Sequence, residues 1–138
     1  MKMKVKLDEG AFMPERAHPD DAGLDIRSPV DTIVPAYGSA VIDTGVHVEI
    51  PYSAVGFLKS KSGLHFFFGI SSEGVVDCGY TGSIRVKLVN HTDEPYHVHY
   101  GDKISQLVVI PIYLPTPELV DELPETDRGG HGFGSTGR

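Results

Sequence analysis

Cysteine is nearly absent from this chain. Cys78 is the only one in 138 residues, which excludes an intrachain disulfide and fits a reducing compartment. Nothing in its sequence neighbourhood marks an activated thiolate, so it reads as core filler. Positive charge is also scarce: twelve Lys and Arg stand against nineteen Asp and Glu, a formal net charge of −7. A nucleic-acid partner is therefore not expected, since such proteins carry a basic face. A polyanionic ligand would have to be met locally, by a few cationic side chains and backbone N–H groups with a divalent cation. Long apolar runs are missing. The segment Met1-Lys2-Met3-Lys4-Val5-Lys6-Leu7 alternates charge with apolar residues, and no stretch has the length to cross a bilayer. The expectation is a cytoplasmic protein with no membrane partner. Three common catalytic signatures are absent as well: a Gly-x-Ser-x-Gly elbow, a Walker lysine loop and a CxxC pair.

Glycine and proline are plentiful, and their spacing from Gly10 to Gly82 leaves no room for a long helix. The pieces between them alternate. Val46, Val48 and Ile50 share one face, and so do Ile84, Val86 and Leu88, as period-two strands with one buried side require. The run Ile104 to Ile110 begins the same way and ends fully apolar, as a strand buried on both sides would. Many short strands at this spacing predict an all-β sandwich, jelly roll or barrel. After Ile110, Pro111, Pro115, Pro117 and Pro124 predict a stiff extended arm that projects from the body. The organisation expected is a β body with its arm over 1–123 and a glycine-rich tail over 124–138.

That tail carries an arginine, a lone phenylalanine and a Ser-Thr pair among five glycines between Arg128 and Arg138. These groups complement phosphate oxygens and a flat ring, so the tail reads either as a flap that orders on a nucleotide or as a plain disordered terminus. Gly74 to Gly82 places Asp77 and Tyr80 in a glycine-flanked turn between apolar strands. Asp77 there is either a partly desolvated general base or a turn aspartate bonding its own backbone. Asp20, Asp21 and Asp25 offer hard oxygen ligands of the kind that hold Mg²⁺ through water, or simply make a turn. Lys59 to Gly63 supplies two ammonium groups and two hydroxyls, a weak phosphate signal. Gln106 is an inward polar group that needs a partner. His97 and His99 point the same way and read as surface residues rather than as a zinc site.

Taken in order, these pieces resemble the five motifs of the trimeric dUTPases. They are Ala22-Gly23-Leu24-Asp25-Ile26, Lys61-Ser62-Gly63-Leu64, Gly74-Val75-Val76-Asp77 with Tyr80 and Gly82, Gly101 to Gln106, and Arg128 to Gly137. The resemblance runs from about residue 4 to the C-terminus. It implies a distorted jelly roll assembled as a homotrimer with shared active sites, which hydrolyses dUTP to dUMP and pyrophosphate with Mg²⁺. By matched motif, Asp77 is expected to activate the attacking water, and Tyr80 to pack on the sugar where a ribose hydroxyl would collide. Backbone around Gly74 is expected to read uracil. Asp25 is expected to hold Mg²⁺ through water, and Lys61, Ser62, Gly63 and Gln106 to line the phosphates. From a neighbouring subunit, Phe133 is expected to cap the base while Arg128, Gly134, Ser135 and Thr136 close over the triphosphate.

The sequence departs from the family pattern in three places. Lys61 stands where an arginine is usual, and a lysine is a point charge without the bidentate fork. Gly79 replaces the aspartate often found before the tyrosine. Ser71-Ser72-Glu73 shortens the approach to the hairpin and lacks the usual asparagine. Two other readings stay open on sequence: a dCTP deaminase of the same fold, with Glu73 as the one candidate acid/base, and a nucleotide-sensing module without catalysis.

Overall fold

A computed structural model describes residues 1–137; Arg138, the last residue of the tail, lies outside the described residues. The alternating segments become strands β1 (Val5–Leu7), β2 (Gly23–Arg27), β3 (Thr32–Val34), β4 (Ser39–Asp43), β5 (Val46–Val48) and β6 (Ala54–Lys59). A short helix, α1 (Ser62–Phe68), follows, and then β7 (Ile70–Ser71), β8 (Glu73–Asp77), β9 (Arg85–Asn90), β10 (Tyr96–Val98) and β11 (Lys103–Pro111). The largest sheet runs β2-β11-β6-β8, a second runs β4-β9-β7, and two-stranded pairs β1-β5 and β10-β3 complete the distorted jelly roll. All pairings are antiparallel.

The core lies between the sheets. Val46, Val48 and Ile50 are buried together with Ile84, Val86 and Leu88, as the period-two reading requires. Ile26, Ile70, Ile104 and Leu107 join them. Each such side chain stabilises the fold by about 1.5–3 kcal/mol relative to exposure. Cys78 packs against this cluster as filler.

The end of β11 differs from its expectation. Val108 and Val109 are only partly covered and Ile110 is exposed. The strand is central in its sheet, but its outer face meets no other layer of the same chain. Val108 and Ile110 therefore join Phe57 and Val75 in an open apolar depression bordered by Lys59, Glu73 and Gly74.

Helix α1 ends at Gly69, whose φ of 62° and N–H to His65 O close the last turn. A side chain there would be strained and would meet Thr92 Cγ2 at 2.6 Å. Beyond β11, Ile112 N–H donates to Ser53 O. The arm then runs out with Tyr113, Leu119 and Leu123 exposed.

Candidate functional site

Strand register places four polar residues in one row across the large sheet. Asp25 pairs with Gln106, Gln106 with Lys59, and Lys59 with Glu73. Asp25 is buried. Its Oδ1 accepts from Lys61 Nζ, and Lys103 Nζ lies 2.7 Å from Oδ2. The second contact is an ion pair outside hydrogen-bond geometry, so Oδ2 is buried without a hydrogen-bond partner. Burial works against ionisation of Asp25, but the two ammonium groups outweigh it and hold the carboxyl below its ordinary range. Asp20 and Asp21 do not join this cluster. They sit in an exposed turn, where Asp21 accepts from His18 N–H.

Gln106 finds the partner its inward position requires. Its amide donates to Ser60 O at 2.9 Å, and its Oε1 occupies the space above Gly23. A chain of serines braces the loop that carries Lys61. Ser60 Oγ accepts from Ser72 N–H, Ser72 Oγ meets Ser105 Oγ at 2.9 Å, and Ser105 Oγ donates to Lys59 O. Ser62 and Gly63 open α1 and are exposed. At the other end of the row, both carboxylate oxygens of Glu73 accept from Lys59 Nζ, at 2.8 and 2.9 Å. This pairing is poor preparation for an acid/base and weighs against the deaminase reading.

Asp77 and Tyr80 sit elsewhere. Asp77 pairs with Val55, four positions along β6 from Lys59. It is exposed, so the single chain does not supply the partial desolvation expected of it. The reason is its place at the end of an edge strand with no other layer above it. Tyr80 N–H donates to Asp77 O at 3.0 Å, and Tyr80 Oη donates to Ser83 O at 2.8 Å. The ring covers Gly82, where an added Cβ would lie 2.5 Å from Tyr80 Oη. The turn is thus closed around the tyrosine.

At about 3.3 Å per residue and 4.8 Å per strand, Asp25 and Asp77 are roughly 20 Å apart on the same sheet face. The tail is a third piece. Arg128 Nε donates to His131 O, successive turns close at His131, Ser135 and Gly137, and Phe133 is fully exposed with φ 51°. Its hydrogen bonds among the described residues stay within the tail and residue Thr126. His97 and His99 are exposed on and just after β10, with His99 Nδ1 3.6 Å from Asp102.

Sequence reasoning missed two residues. Lys103 lay inside a quoted motif but had no role, and only the β2–β11 pairing brings it to Asp25. His47 reaches Thr81, beside Tyr80, from β5, and no local signal marks it.

A jelly roll whose large sheet carries at one edge a carboxylate gripped by two lysines, with a tyrosine turn and a glycine tail, defines an all-β protein with a polar site on its sheet edge. The chain belongs to the dUTPase family, which it matches over residues 9–137, and the family is one of enzymes. It is 40% identical over 140 residues to the deoxyuridine 5'-triphosphate nucleotidohydrolase of Clostridium acetobutylicum, covering 99% of this chain and 96% of that protein. Identity to the Arabidopsis thaliana protein of the same name is 42% over 133 residues, covering 96% and 80%. Among solved structures, the Staphylococcus bacteriophage 80alpha dUTPase with dUpNHpp superposes with a TM-score of 0.93 at 33% identity, covering 99% of each chain. A variant of the dUTPase from phage phi11 of S. aureus, described with a structural Mg(II) ion, gives 0.82 at 32% identity, covering 88% and 98%.

Proposed function

We propose that this chain hydrolyses dUTP to dUMP and pyrophosphate as a homotrimer whose three active sites are each shared between subunits. The observation that carries this reading is the register, which sets Asp77 three strands across and four residues along from Asp25, roughly 20 Å in a flat sheet. Groups so far apart in one chain cannot serve one reacting phosphate, whereas groups from neighbouring chains can be brought together. The uncovered apolar face of Phe57, Val75, Val108 and Ile110 and the exposed apolar residues of the arm offer surface for such contacts. In this arrangement residues 1–123 form the body and its arm, and 124–138 form the closing tail.

Asp77 would orient the attacking water and take its proton, gaining the desolvation it lacks alone when a neighbour and the tail cover it. Tyr80 would lie against the sugar and refuse a ribose hydroxyl, while hairpin backbone from Gly74 to Asp77 reads the uracil edge. Lys61, Ser62, Gly63 and Gln106 would line the phosphate path. Phe133 would cap the base as Arg128, Gly134, Ser135 and Thr136 close over the triphosphate.

The buried carboxylate of Asp25 suits a hard cation by its oxygen donors, although Lys61 and Lys103 compete for both oxygens. With one carboxylate present, the fitting ion is Mg²⁺, which keeps most of its waters and takes the rest of its shell from phosphates. Bound there, it would neutralise charge developing on the triphosphate. No helix among the described residues is long and apolar enough to cross a membrane, and we place the protein in the cytoplasm.

Pyrophosphate release from dUTP, UTP, dTTP and dCTP with Mg²⁺ tests this reading. Release from dUTP alone is expected. Ammonia release from dCTP would move the chain to the deaminases, and tight dUTP binding without turnover would make it a sensing module.

A further inference from the structure

Tyr80 carries the sugar selectivity in the reading above, so whatever fixes its turn sets that selectivity. Ser83 fixes one side. Its Oγ donates to Asp43 Oδ1 and accepts from Gly45 N–H. The other side is fixed by a histidine on β5. His47 Nδ1 lies 2.8 Å from Thr81 O, and His47 Nε2 lies 3.0 Å from Asp8 Oδ2. Both partners are acceptors only: one is a carbonyl oxygen, the other a carboxylate. A neutral imidazole has a single N–H and can satisfy just one of them, whereas an imidazolium donates to both.

We propose that His47, as a doubly protonated clamp between Asp8 and the Thr81 carbonyl, holds the Tyr80 turn in its sugar-selecting position, so that preference for deoxyribonucleotide over ribonucleotide depends on pH. The inference rests on the reading of Tyr80 as the sugar-facing residue. His47 is a positioning residue; it acts through Thr81 on Tyr80.

The surroundings favour the charged ring. The hydrogen bond to Thr81 O, then the bond and attraction to Asp8, raise the His47 pKa above its ordinary value of 6.5. Asp43 on β4 adds attraction, and Lys6, the register partner of His47 on β1, opposes it. Lys4 and Glu49 line the same groove and pair with each other at 2.9 Å. Arg85 stands 3.9 Å from Asp43 on its far side. Because the folded pKa is raised, the clamp is complete below pH 6.5 and is lost as pH rises through the higher folded value.

The test is the ratio of kcat/KM for dUTP to that for UTP, measured from about pH 5.5 to 8.5. The ratio cancels ionisation of Asp77 and of the phosphates, which both substrates share. In the intact chain it is expected to fall between about threefold and tenfold across the His47 titration, the worth of one hydrogen bond. His47→Gln keeps one donor and does not titrate; its ratio is expected to stay low and flat. Asp8→Asn leaves Thr81 untouched and is expected to move the step to lower pH. NMR titration of the ring nitrogens should place the His47 midpoint above 6.5, without any substrate.

A flat ratio with normal dUTP turnover, a step that survives His47→Gln, or a midpoint at or below 6.5 would each overturn the clamp. A chain that hydrolyses neither nucleotide would instead overturn the functional reading, and the selectivity claim with it.

Discussion

Gln106 stands where a side chain at position 23 would be. A Cβ built on Gly23 would lie 2.1 Å from Gln106 Oε1 and 2.9 Å from its amide carbon. The two residues lie on adjacent strands, β2 and β11, and the amide leans across the gap to reach Ser60 O. Gly23 is thus required for the placement of Gln106, quite apart from any turn.

Gly23→Ala is therefore expected to push Gln106 off Ser60 and out of the proposed phosphate path. Overpacking of this kind costs about 1–3 kcal/mol. Lower thermal stability should accompany lower turnover, and a variant with unchanged kcat/KM would show that Gln106 has no part in the site.

Asp77→Asn keeps the shape of the turn, because Tyr80 N–H bonds the backbone oxygen of Asp77 and not its carboxylate. Turnover should fall by about 10²–10⁴ if Asp77 is the proposed base, with the melting temperature essentially that of the parent. Circular dichroism and steady-state kinetics on the same preparation separate the two effects.

Removing residues 128–138 should leave the fold intact, since among the described residues the hydrogen bonds of this segment stay within it or reach Thr126 just before it. Charge-assisted bonds of about 1.5–3 kcal/mol each make the expected loss about a thousandfold or more. Mixing this truncation with Asp77→Asn gives the sharper result. After random reassembly about a quarter of the sites would draw Asp77 from one variant and the tail from the other. Recovered activity would establish sharing, and none would refute it.

Asp43 makes acid stability measurable. The hydrogen bond from Ser83, then that from Gly45 N–H, hold its carboxyl below the ordinary value of 3.8. A lowered folded pKa gives stability that is present above 3.8 and lost as pH falls through the folded value. Asp43→Asn is expected to flatten that part of the acid unfolding curve, by a modest amount because the pair is exposed. A curve that matches the parent would show that the Ser83 side of the turn is not held this way.

The buried faces were legible because burial imposes a period of two, and Val46-Val48-Ile50 and Ile84-Val86-Leu88 display it in consecutive residues. The motifs were legible through their order. The grip on Asp25 was not, because Lys61 and Lys103 are far from it in sequence and arrive only when β2, β11 and β6 pair. His47 was invisible for the same reason: between two buried valines it looks like any outward residue. Between the two sequence readings of Asp77, apolar neighbours could not decide, because at the end of an edge strand they do not report what lies above the side chain, and here nothing of the same chain does. Nor does the triplet Phe66-Phe67-Phe68 announce that it closes a helix with its rings exposed.

In the proposed trimer with shared sites, the span between Asp25 and Asp77 would also govern how damage spreads through the assembly. In a self-contained enzyme a defective copy removes only its own activity. Where each site draws on several chains, one copy lacking two of these groups silences sites belonging to its neighbours as well. Mixed in equal amounts with the intact chain, such a copy would leave about a quarter of the sites working, where a self-contained enzyme would keep half.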